Sequence, residues 1–171
     1  MTEGSREHTI DIRAALKAQY RAALWMMEQA IRRCPDTLWD ASGPNECPFW
    51  RVVFHGLFFT HFYLQKDHKS MRRWAKHRGQ LQDTTGPAAE PDEVYTKGEM
   101  LEYMAFCREM IDGAVDAMDL ASADCGFPWY KLGKLEHQIN NIRHIQHHFA
   151  QLAARVNAAT GQDVDWTMGS V

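Results

Sequence analysis

The sequence predicts an all-α fold, a four-helix bundle with a long connection between its second and third helices. Three observations carry this. Four segments repeat apolar residues at the three-and-four spacing of a helix face. Gly, Pro, Asp and Asn collect between those segments. No segment alternates apolar and polar residues as a half-buried strand would. The 171 residues suit one domain, 1–171, with short tails at 1–8 and 160–171.

The first helix is expected from about Thr9 to Arg33. Thr9 can cap it, and Ile10, Ala14, Leu16, Tyr20, Leu24, Met27 and Ile31 form its apolar stripe. Arg32 and Arg33 suit the negative C-terminal end of the helix dipole. Pro35, Asp36, Asp40, Gly43, Pro44 and Asn45 then read as a loop. Pro48 favours a helix start, and the second helix runs through Phe49 to Leu64. It is apolar almost all round and should be the most buried.

Lys66 to Tyr95 shows no core-forming periodicity, and Gly79, Gly86, Pro87 and Pro91 interrupt it. A short helical turn is expected between Ser70 and His77. The cations Lys69, Arg72, Arg73, Lys76 and Arg78 read first as a solvated face, and second as a site for an anion. Thr96 and Glu99 make a capping box that opens the third helix, expected to reach about Leu120. Gly126 and Pro128 break the chain again. The fourth helix starts between Leu132 and Lys134 and continues to about Ala159. Trp166 and Met168 in the tail could dock on the helices.

Composition narrows the function classes. The net charge of −3 does not favour a nucleic-acid partner. No apolar run approaches the ~20 residues of a membrane span, and the N-terminus has no signal-peptide apolar core. Cys34, Cys47, Cys107 and Cys125 form no C-x-x-C pair, so reduced thiols and a cytoplasmic location are expected.

The unusual feature is the placing of the nine histidines. His144 and His148 stand four apart on the fourth helix, which stacks two imidazoles on one face. His55 shares a face of the second helix with Val52, Phe58, Phe59 and Phe62, and His61 lies about 120° away from it. On the fourth helix, His137, Asn141, His144 and His148 border the apolar stripe, while His147 points furthest from it. A lone helix histidine is usually a surface residue or a hydrogen-bonded core residue. The paired spacing and a third histidine on an aromatic helix point instead to a metal site with His55, His144 and His148 as ligands.

Three histidines with no fourth protein ligand describe an open site. Imidazole suits zinc, nickel, copper or iron. Zinc or nickel is taken first, with iron or manganese behind. Di-iron bundle motifs, H-E-x-x-H, C-x-x-C-H and a nucleophile elbow are all missing. His61, His137, Asn141 and His147 are candidates for orienting the ligands or a substrate. The catalytic group is left open.

The stretches Trp50–Leu64, containing His55, and His144-Ile-Gln-His-His148-Phe-Ala-Gln-Leu152 resemble the second- and fourth-helix signatures of the DinB/YfiT-like superfamily. Ala150 stands where a Gly is common in that family, and His61 where a small polar or acidic residue is expected. The resemblance implies a four-helix bundle holding a divalent metal on His55, His144 and His148. It also implies a homodimer, and a thiol-dependent transferase or isomerase using a low-molecular-weight thiol. A small-molecule substrate, turned over by S-transfer or a related transfer or hydrolysis, is the expected function. A non-catalytic, stress-related dimeric metal-binding module is the alternative.

Overall fold

A computed structural model of the chain describes residues 10–43, 47–78 and 93–169. Among these residues there are five helices and no strand: α1 (Ile12–Arg33), α2 (Asp36–Trp39), α3 (Phe49–Tyr63), α4 (Lys97–Ala117) and α5 (Lys134–Thr160). The four long helices pack as a helical bundle in which α1 and α3 each lie against both α4 and α5. Their apolar stripes meet in one core, where Tyr20, Leu24, Leu57, Met104, Ile145 and Leu152 are sealed from solvent. No described helix is long and apolar enough to cross a membrane.

The helix starts follow local hydrogen-bond chemistry. Thr9, expected as the first cap, lies outside the described residues. Asp11 caps α1 instead, its Oδ1 accepting from the Ala14 amide at 2.9 Å. A carboxylate facing the orphan amides of a first turn also gains from the helix dipole. The later start leaves Ile10 off the helix and 82% exposed. The capping box on α4 is formed as expected, with Thr96 Oγ1 accepting from the Glu99 amide and Glu99 Oε2 accepting from the Thr96 amide at 2.8 Å. α4 stops at Ala117, three residues short of expectation, because Met118 turns extended. α5 closes on Gly161, whose φ of 70° is the left-handed geometry that glycine adopts without a Cβ clash.

Two connections differ from their sequence reading. The segment after Pro35 holds the single turn α2, pinned where the Trp39 indole donates to the Tyr95 carbonyl at 2.8 Å. The turn expected between Ser70 and His77 is not a helix. It reduces to one bend, closed by the His77 amide on the Trp74 carbonyl. Trp74 is its buried anchor, stacked 4.4 Å from the Tyr103 ring. Lys69, Arg72, Arg73 and Lys76 are exposed, Lys76 pairs with Glu102 and Arg78 pairs with Glu99. Gly79, Gly86, Pro87 and Pro91 lie outside the described residues. The backbone of the C-terminal tail touches α1 where Gln19 donates to the Met168 carbonyl, but Trp166 and Met168 are 67% and 80% exposed.

Gly56 of α3 lies beside Met27 of α1 and His148 of α5. A Cβ there would stand 2.8 Å from Met27 Cε and 3.8 Å from His148 Cβ. The bare backbone leaves room for the end of the Met27 side chain beside His55, on the side of α3 that meets α5.

Candidate metal centre

α3 and α5 bring His55, His144 and His148 together, with one ligating atom from each within 4.8 Å of the others. Nε2 of His144 is central. It lies 3.0 Å from His55 Nε2 and 2.9 Å from His148 Nε2. The sequence explains half of this. Residues 144 and 148 are one turn apart on α5, so their rings stack on the same side. His55 comes from the aromatic face of α3, where its ring packs 4.7 Å from Phe59.

The three nitrogens are not explained by hydrogen bonding among themselves. Nδ1 of His148 lies 2.8 Å from Gln151 Oε1. An amide oxygen only accepts, so Nδ1 carries the proton and Nε2 presents a lone pair to the cluster. A proton on His144 Nε2 can be aimed well at only one of its two neighbours. Nδ1 of His144 is buried and has no hydrogen-bond partner among the described residues. A single cation would accept one lone pair from each ring. Bonds of ~2.0–2.1 Å to a shared ion place neighbouring nitrogens about 2.9–3.4 Å apart. Both separations from His144 fall in that range, and the donor set fits a divalent ion.

Protonation is consistent with the same use, because metal ligands must be neutral imidazoles. Burial pushes His55 down to about 3, helped by the charges of His148 and His144. Burial likewise takes His144 down to about 4 and lowers His148.

The other candidates are distributed differently. His147 is exposed, as its angle on the helix implies, and accepts from Gln151 Nε2 at 3.3 Å. Gln151 therefore bridges His147 and His148. His137 is fully buried among the rings of Tyr63, Phe127 and Tyr130, and burial lowers it to about 4. Asn141 turns to α1, where its Nδ2 donates to the Tyr20 hydroxyl at 2.9 Å. The same hydroxyl donates to Gln138 Oε1 at 2.7 Å. His61 faces α4, with Nδ1 3.0 Å from the Tyr103 hydroxyl and its ring 5.0 Å from Phe106. Neither Asn141 nor His61 reaches the three-histidine cluster. Both serve helix interfaces.

A cavity of about 540 Å³ opens beside His55 and His144. Phe58, Phe59, Phe62, Tyr63, Trp129 and Tyr130 form its wall, and Asn140 adds an amide. None of the cations from Lys69 to Arg78 lines it. A larger cavity of about 840 Å³ lies towards the C-terminal end of α4, around Met110, Met118 and Lys134, and contains none of the three histidines. Its size does not make it the reactive site, because it holds none of the three clustered histidines. Lys134, its buried cation, already donates to the carbonyls of Lys66 and Cys125.

Sequence reasoning did not assign Gln151, Trp129 or Tyr130 to the site. Gln151 was detectable, standing three residues after His148 on the same helix face. The Trp129-Tyr130 pair follows Pro128 in a short connection, where exposed aromatic residues are a functional signal.

No family model matches this chain, and no curated protein and no solved structure matches it either.

Proposed function

We propose that this chain is a divalent-metal-binding protein of the DinB/YfiT-like kind, a four-helix bundle whose α3 and α5 hold the ion on His55, His144 and His148. We further propose that it is an enzyme acting on a small molecule, by thiol S-transfer or a related transfer or hydrolysis. The observation that supports this best is the meeting of three imidazole Nε2 atoms, 2.9 and 3.0 Å apart, at the edge of an aromatic cavity. Zinc or nickel suits an all-imidazole set, with iron or manganese behind.

A bound divalent ion would bring the pKa of a thiol or water towards neutrality, which makes a nucleophile available. The chain's own residues supply the rest. Gln151 holds the His148 ring by its Nδ1–H, which keeps the Nε2 lone pair on the cluster. Phe59 packs against both His55 and His144 and keeps water from their flanks. The cavity borders His55 and His144, which favours catalysis over a purely structural metal. The homodimer rests on the family resemblance alone.

Thiol transfer is tested by mixing metal-loaded protein with a small thiol and an electrophile. Thiol consumption that disappears in His148→Ala supports the reading. Equal consumption by the variant overturns it. A protein that loses thermal stability on chelation but turns over no thiol or ester is a non-catalytic metal module.

A further inference from the structure

The cavity beside the histidines has an unusually uniform wall. Phe58 and Phe62 stack with centroids 5.9 Å apart and planes 25° apart. Phe62 and Trp129 continue the row at 6.1 Å and 21°. Three rings of similar tilt thus run through the cavity wall, and Trp129 at their end is 54% exposed. The hydroxyls of Tyr63 and Tyr130 lie 3.1 Å apart and can satisfy each other. No Lys, Arg, Asp or Glu side chain among the described residues lines the space.

These features select by charge and shape. An ionic group seated on such a wall would lose its hydration without gaining a counter-ion. A cation could recover part of that loss on the ring faces, but it would then sit beside a divalent ion of the same sign. A flat, neutral ring loses little on desolvation and gains offset stacking against the row. We propose that the cavity seats an uncharged, flat, apolar group of the substrate, and that Trp129 is the residue that selects it. The assignment of this group to a substrate rests on the reading of the three histidines as the reactive centre. Binding of the group does not.

The test uses the whole chain, metal-free in chelator, with 2-naphthamide and 2-naphthoate as probes, their affinities measured by calorimetry. The amide is expected to bind at least tenfold more tightly than the carboxylate, which finds no counter-ion on this wall. Trp129→Ala should weaken amide binding at least tenfold, and Trp129→Phe should keep it within about threefold. Equal binding of the carboxylate, or amide binding unchanged in Trp129→Ala, overturns the proposal. Trp129 is largely in water, so its removal does not threaten folding, and circular dichroism of the variant checks this. Metal content measured on the same preparations before chelation separates the two readings. Stoichiometric metal with Trp129-independent probe binding sinks only the cavity proposal, and Trp129-dependent probe binding without metal uptake sinks only the metal reading.

Discussion

Nδ1 of His148 faces the amide oxygen of Gln151 at 2.8 Å, and this contact orients the third nitrogen of the histidine cluster. Gln151 in turn donates to His147, so its amide cannot easily flip. Such outer contacts typically change metal affinity by about 10–100-fold. Gln151→Ala should therefore weaken metal binding by that factor in a chelator competition. The melting temperature of the metal-free protein should barely move, since Gln151 is exposed. An unchanged affinity would remove Gln151 from the site.

The Tyr20 hydroxyl joins α1 to α5 by donating to Gln138 and accepting from Asn141, all three residues being fully buried. Burial raises this phenol well above its ordinary range, so it stays neutral. Tyr20→Phe strands two buried amide groups, at a cost of roughly 1–3 kcal/mol each. Denaturant unfolding should show a loss of ~2–6 kcal/mol. Metal affinity should stay as in the parent. If it falls tenfold or more, Asn141 belongs with the metal cluster after all.

His61 and His137 are buried neutral and each is lowered to about 4 from an ordinary value near 6.5. Between those values the unfolded chain binds more protons than the folded one, so stability rises with pH across the window and is lost on acidification. Each histidine contributes a slope of up to about 1.4 kcal/mol per pH unit there. Urea melts of metal-free protein from pH 4 to pH 7 should show this slope, and His137→Phe should reduce it by about one histidine's share. A flat profile would mean that these rings protonate without leaving their packing.

Gly56 leaves room for the Met27 side chain beside His55, and an added Cβ would press on Met27 Cε at 2.8 Å. Alanine normally gains about 1 kcal/mol over glycine inside a helix. Overpacking of about 1–3 kcal/mol should outweigh that gain, because Met27 is fully enclosed. Gly56→Ala should lower the melting temperature and weaken metal binding together. A stabilised variant with unchanged affinity would show that Met27 swings aside without cost.

The sequence makes visible whatever is local. The helical apolar stripes, the Thr96–Glu99 box and the stacking of His144 over His148 all depend on residues within a few positions of one another. His55 was visible because a polar ring on an aromatic helix requires a partner. The ridge of His137, Asn141, His144 and His148 was less decisive, because α5 packs between α1 and α3. A small rotation decides which neighbour each residue meets, so Asn141 goes to Tyr20 while His144 goes to His55. His61 was ambiguous for the same reason, since α3 also packs against α4. Trp129 and Tyr130 lie on a connection whose return to α3 is long-range, and no local pattern encodes it. Asp11 was a second capping side chain at the same helix start, and spacing alone does not choose between two such neighbours.

Elemental analysis of protein purified without affinity tags or added chelator tests the metal centre most directly. The parent chain should carry about one divalent ion per chain, and His55→Ala, His144→Ala and His148→Ala should each retain less than about a tenth of it, given the three-ligand set. Circular dichroism should show all three variants folded. A parent chain without stoichiometric metal after loading, or variants that keep it, would contradict a metal held by these three histidines.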